Sequence, residues 1–99
     1  MYGTTMIASI KGSREAMEQE FSAWVATRGP QVQGFVDAWL LFADDGITVV
    51  NTVRFASRED YQRLADDSRQ SDWYAERIMP LIEGEARWID GDWFATQAN

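Results

Sequence analysis

Asn51, Trp73, Tyr74, Arg54 and Arg77 are the side chains of this 99-residue chain best suited to chemistry on a small molecule. Asn51 stands in the run ITVVNTVRF, where strand alternation puts it on one face with Ile47, Val49, Val53 and Phe55, and puts Thr48, Val50, Thr52 and Arg54 on the other. A buried amide must find hydrogen-bond partners or costs about 1–3 kcal/mol. It is either a donor aimed at a substrate oxygen or a group satisfied by a neighbouring Ser or Thr hydroxyl or by water. Trp73 and Tyr74 offer a stacking wall and a hydroxyl for a planar aromatic ligand; the alternative is core packing at helical spacing, which applies with more force to Trp24, Phe21 and Tyr61. Arg54 points away from Asn51, and Arg77 follows Tyr74 by three positions on one helix face. Either would stabilise a phenolate or form an ordinary ion pair.

Composition narrows the chemistry further. The chain has no histidine and no cysteine, so thiol catalysis, Cys–His and Ser–His–Asp nucleophiles, thiolate metal sites and the usual haem ligand are excluded. Any reaction has to use carboxylates, Tyr, Arg, Asn, Trp or the substrate itself. The acids Asp66, Asp67 and Asp72 lack a metal-ligand pattern and read as a solvated turn, and the glycines nowhere form GxGxxG or a Walker loop. Neither a metal nor a cofactor is called for. Sixteen acids against nine bases give a net charge of -7, which opposes nucleic acid and anionic membrane surfaces. No run approaches the ~20 apolar residues of a membrane span and the amino terminus carries no signal-like segment, so the expected location is the cytoplasm.

These residues need elements to hold them. Thr4 to Lys11 reads as a strand with Met6, Ala8 and Ile10 on one face, ended by Gly12. Ser13 then caps a helix whose stripe is Met17, Phe21, Trp24 and Val25, stopped by Gly29-Pro30. Phe35 to Phe55 forms two strands around the turn Asp44-Asp45-Gly46. Ser57 caps a second helix opened by Tyr61 and Leu64, interrupted over Asp66 to Ser71 and resumed through Trp73, Tyr74, Ile78, Leu81 and Ile82, with Pro80 kinking it and Gly84 ending it. A last strand over Glu85 to Ile89 precedes a turn at Asp90-Gly91-Asp92. The order strand, helix, strand, strand, helix, strand defines an α+β, ferredoxin-like βαββαβ domain over residues 1–95, with two helices on one face of an antiparallel sheet and a short tail from Thr96 to Asn99.

The central hairpin demands more than its own helices provide. In FVDAWLLF, alternation puts Val36, Ala38, Leu40 and Phe42 on one side and Trp39 and Leu41 on the other, so neither face is polar. Two helices cover one face only, and a second copy of the chain is the expected cover of the other.

The opening MYGT strand, the RGP break, GFVDAWLLF, VRFASREDY, SDWY and the closing RWIDGDW together make the chain resemble the antibiotic biosynthesis monooxygenase family of dimeric α/β barrel proteins. The resemblance spans about the whole chain. It implies a homodimer whose sheets pack face to face, with a small-molecule cavity between sheet and helices in each subunit. The superfamily also includes haem-degrading proteins, which use an iron-ligating His on the second helix; a chain without histidine does not fit that branch.

Two functions follow as expectations. The first is a cofactor-independent monooxygenase acting on a small aromatic phenol or quinol, with Asn51 and Tyr74 as catalytic donors and Trp73, Arg77, Trp24 and Tyr61 as substrate-binding residues. The second is a non-catalytic homodimeric small-ligand-binding or interaction module. A void of a few hundred cubic ångströms shared by Asn51, Tyr74 and an arginine is the feature that separates them.

Overall fold

The computed structural model describes residues 1–97; the last two residues of the expected tail, Ala98 and Asn99, lie outside them. Four strands form one antiparallel sheet: β1 (Tyr2–Ile10), β2 (Phe35–Phe42), β3 (Thr48–Phe55) and β4 (Ile82–Asp92), in the order β2-β3-β1-β4. This is the ferredoxin-like order, and it leaves β2 and β4 as edges. The helical segments are α1 (Arg14–Thr27), α2 (Arg58–Ala65) and α3 (Ser68–Trp73).

Local chemistry sets the element boundaries. Ser13 caps α1 by accepting from the Ala16 amide at 3.1 Å, and Ser57 caps α2 by accepting from Asp60 at 3.2 Å. Between β2 and β3, Asp45 accepts from the Ile47 and Thr48 amides at 2.8 Å each, and Gly46 supplies a φ of +75°. Those bonds, the Thr48 amide first, hold the Asp45 carboxyl below its ordinary range. The interruption after α2 is a second capping event, because the Asp67 side chain accepts from the Arg69 amide at 2.9 Å and starts α3. Asp67 also pairs with Arg69 and, at 3.6 Å, with Arg28 at the end of α1. These contacts, led by the Arg69 side chain, draw its carboxyl down to about 2.

The second helical segment departs from one regular helix with a kink. After Trp73 the backbone widens into a π turn over Tyr74–Ile78 and then tightens into a 3-10 turn over Met79–Leu81 that accommodates Pro80. The last strand is longer than its sequence suggests. Ile82 opens β4 rather than closing a helix, Gly84 lies within the strand, and Asp90-Gly91-Asp92 pair with Thr4, Gly3 and Tyr2 instead of turning. Asp and Gly are poor strand formers, so local propensity pointed to a turn. The Thr4 hydroxyl donating to Asp90 at 2.6 Å and the ladder with β1 override it.

On the helix-covered face, Met6, Ala8, Met17, Phe21, Val49, Ile78 and Ile82 form one buried cluster, and Trp24, Phe55 and Leu64 form another. Truncating a fully buried aromatic such as Phe55 to alanine costs about 3–5 kcal/mol. The opposite face is uncovered in a single chain. There Trp39 is 65% exposed and Leu41 62%, beside Ile89, Ile7 and Val50. Val36 does not take the core place that simple alternation gives it. A register shift between Phe35 and Asp37 leaves Val36 as an extra, exposed residue and seats Phe35 opposite Phe55, while Asp37 keeps the alternation of Trp39 and Leu41 on the open face. Asp37 there grips Arg54 with both carboxylate oxygens, one to Nε at 2.7 Å, so Arg54 is an ion-pair residue of the open face. The Arg54 hydrogen bonds hold the Asp37 carboxyl below its ordinary range.

Candidate functional site

A cavity of about 520 Å³ opens between the sheet and the second helical segment, within the range of small-molecule pockets. Its floor is sheet: Thr4 and Met6 from β1, Asn51, Val53 and Phe55 from β3, Ala38 from β2, and Trp88 and Asp90 from β4. Its walls are helical. Phe21 and Trp24 come from α1, Tyr61 and Leu64 from α2, and Gln70, Trp73 and Tyr74 from α3 and the π turn.

The aromatic rings support one another around this space. Trp73 meets Phe21 edge-on with ring centroids 5.6 Å apart and lies 6.0 Å from Trp24. Tyr61 packs on Phe55 at 5.5 Å, and Tyr74 on Trp88 at 5.5 Å. Trp24 is fixed further by its indole N–H, which donates to Gln70 Oε1 at 2.9 Å and ties α1 to α3. Such rings have few torsions to lose, so the wall they form is preorganised.

Asn51 is 4% exposed and lines the cavity from the middle of β3. Its Nδ2 donates to the backbone carbonyl of Trp39 at 3.2 Å. That partner is neither a hydroxyl nor water but the adjacent strand, and it fixes the amide orientation, since only the nitrogen can donate to a carbonyl. One amide proton and the Oδ1 make no other hydrogen bond among the described residues. Burial pushes the Tyr74 hydroxyl above the ordinary tyrosine value.

Of the residues singled out from the sequence, the structure brings Asn51, Tyr74, Trp73, Trp24 and Tyr61 to this one cavity. Arg77 lies outside the lining. Its guanidinium is solvent-exposed, 3.9 Å from Glu20 on α1. The reason is the π turn: its wider spacing rotates the third residue on away from the face of Tyr74, whereas a regular α-helix would keep the two together. No arginine reaches the cavity among the described residues.

Sequence reasoning missed Thr4, Trp88 and Asp90. Asp90 sits at the mouth, where the Tyr61 hydroxyl donates to its Oδ2 at 3.2 Å and the Thr4 hydroxyl to its Oδ1 at 2.6 Å. Burial pushes the Tyr61 hydroxyl above its ordinary value; Thr4 pulls the other way, and the Asp90 charge adds to the rise. The signal for Trp88 and Asp90 was the alternation of Ala86, Trp88 and Asp90, which marks one face of a strand once Asp90 is allowed into it. No three of His, Cys, Asp or Glu converge to hold a metal ion among the described residues, and no helix there is long and apolar enough to cross a membrane.

No family model and no curated protein matches the sequence. Solved structures do match the fold. The monooxygenase from the gene ActVA-Orf6 of Streptomyces coelicolor, in complex with the ligand nanaomycin D, aligns over 99% of this chain and 91% of its own with a TM-score of 0.76 and 16% identity. SnoaB, a cofactor-independent oxygenase from Streptomyces nogalater, aligns over 98% and 94% with a TM-score of 0.71 and 18% identity. An antibiotic biosynthesis monooxygenase covers 96% of this chain and 100% of its own, with a TM-score of 0.69 and 12% identity. The chain therefore has the ferredoxin-like fold of the antibiotic biosynthesis monooxygenases, as the sequence resemblance implied.

Proposed function

We propose that this chain is a homodimeric, cofactor-independent monooxygenase of the antibiotic biosynthesis monooxygenase type, acting on a small phenol or quinol. The observation that carries the reading is a cavity of about 520 Å³, walled by tryptophan and tyrosine rings, with the Asn51 amide set into its floor. Two of the fold neighbours are an oxygenase and a monooxygenase, which gives the same direction.

The reaction balances without an outside reductant. A phenol and O2 give a quinone and water: one oxygen atom joins the ring carbon, the other leaves as water, and the substrate supplies all four electrons. The electron-rich ring of the substrate is the reactant that O2 oxidises. Trp73 and its neighbours hold its ring and keep water away, which replaces a random encounter with an oriented one. The free Asn51 amide proton and the Tyr74 hydroxyl are the donors for the oxygen on which negative charge resides as the reaction proceeds.

The open sheet face supplies the second half of the proposal. Trp39, Leu41 and Ile89 form an apolar surface on the side away from the cavity, and a second copy presenting the same surface would cover it by twofold symmetry.

Two observations favour a non-catalytic binding module: Asn51 already spends one amide proton on the Trp39 carbonyl, and no arginine lines the cavity among the described residues. Oxygen consumption by metal-free protein with a panel of phenols and quinols separates the two readings. Asn51→Ala should lower turnover by about 100-fold, the usual loss for one preorganised donor, and Tyr74→Phe should lower it too. Turnover indifferent to both changes would sink the residue assignment.

A further inference from the structure

Asp90 belongs to no role described so far, yet it touches two residues of the cavity lining. Its Oδ1 accepts from the hydroxyl of buried Thr4 at 2.6 Å, and its Oδ2 accepts from the hydroxyl of Tyr61 at 3.2 Å. We propose that Asp90 sets the polarity of the cavity, making Tyr61 a hydrogen-bond acceptor toward the ligand and thereby selecting a ligand that presents a hydroxyl donor at the mouth.

An ionised carboxylate only accepts hydrogen bonds, so both hydroxyls facing it must donate. A tyrosine hydroxyl has a single proton. Once that proton is directed at Asp90, the Tyr61 oxygen has only lone pairs to offer the cavity. Thr4 keeps the carboxylate from rotating away, because the short bond to Oδ1 anchors it from the neighbouring strand, in direct register with Asp90. Without Asp90, Tyr61 would be free to point its proton inward and receive a carbonyl or an ether oxygen.

The cavity then has two unlike poles. The buried Asn51 amide offers a proton from the sheet floor, whereas the Tyr61–Asp90 pair accepts one at the exposed rim. A hydroxylated aromatic satisfies the rim. Its methyl ether meets lone pairs with lone pairs, and the unmade hydrogen bond lowers affinity. This inference rests on the proposal that the cavity takes an aromatic ring, and it adds the feature by which one ring is told from another. Asp90 acts here through Tyr61 and is a positioning residue.

The test compares binding of 1-naphthol and 1-methoxynaphthalene by calorimetry under argon, so that no turnover intervenes. Wild-type protein should bind the naphthol about 10-fold more tightly than the ether, the ratio expected for one hydrogen bond of ~1.4 kcal/mol. Tyr61→Phe removes the acceptor and Asp90→Ala removes its orientation, and each should bring the ratio to within about twofold. A purely structural Asp90 would weaken both ligands alike and leave the ratio intact, and that result would overturn the inference while leaving the aromatic cavity standing. Equal binding of both ligands by the wild type would overturn it in the same way. Failure of both ligands to bind would overturn the aromatic-cavity reading and this inference with it.

Discussion

Replacing Trp39 by alanine should break the proposed dimer while sparing the cavity. A tryptophan side chain buries ~200 Å² when fully covered, and Trp39 is left 65% exposed by its own chain. About 130 Å² per copy therefore remains to be buried, worth ~3 kcal/mol per copy at ~25 cal/mol per Å². A twofold interface counts the residue twice, giving a ceiling of ~6 kcal/mol per dimer. Area converts to affinity inefficiently, because ordering and desolvation offset part of it, so we take about half, ~3 kcal/mol, or a 100-fold weaker Kd. The cavity should be untouched, since Asn51 bonds to the backbone carbonyl of Trp39 and not to its ring. Sedimentation velocity across the micromolar range reads the result directly. The wild type should sediment as a dimer and Trp39→Ala as a dissociating species with an unchanged circular dichroism spectrum. A wild type that remains monomeric throughout, or a Trp39→Ala dimer with the wild-type Kd, would refute the reasoning about the open face.

Two further outcomes concern stability. The Asp67 carboxyl is drawn down to about 2, chiefly by Arg69, so its folded-state pKa lies below the unfolded one. A depressed carboxylate stabilises above the unfolded value and loses that contribution as pH falls toward the folded one. Asp67→Asn, which keeps a capping oxygen but removes the charge, should be less stable than wild type at pH 5, with the gap closing between pH 4 and about 2; thermal melts across that window check it. Gly3→Ala should destabilise by about 1–3 kcal/mol, the usual cost of overpacking, because a Cβ at Gly3 would run into the Val53 carbonyl oxygen and the Trp93 indole. A Gly3→Ala melting curve superimposable on wild type would show that Trp93 does not pack there.

Much of the architecture was legible because several signals agreed. Ser13 and Ser57 are good caps, Met17, Phe21 and Trp24 keep helical spacing, and the Asp45-Gly46 turn has the chemistry of a tight reversal. The hairpin's apolar residues on both faces showed that the sheet has a second apolar face but not which residues lie on it; the structure puts Trp39 and Leu41 there. Where the reading departed from the structure, a tertiary effect outweighed a local one. The β2 bulge displaced Val36, which no alternation rule anticipates. The π turn carried Arg77 out of the cavity's reach, and helical spacing cannot report a change in residues per turn. Pairing with β1 extended β4 through Asp90-Gly91-Asp92 against their turn propensity. That last difference mattered most for the site, since it concealed the carboxylate that accepts from the Tyr61 hydroxyl.

On the proposed function, metal-free protein inserts an oxygen atom from O2 into an aromatic substrate held in the cavity between the sheet and the second helical segment. Turnover of a hydroxylated naphthalene under 18O2, with mass analysis of the quinone, measures it most directly. One labelled atom should enter each quinone, one O2 should disappear per product formed, and Asn51→Ala should depress the rate by about 100-fold. A cavity that binds the substrate while the quinone carries no label, or while no quinone forms above the protein-free background, would contradict it.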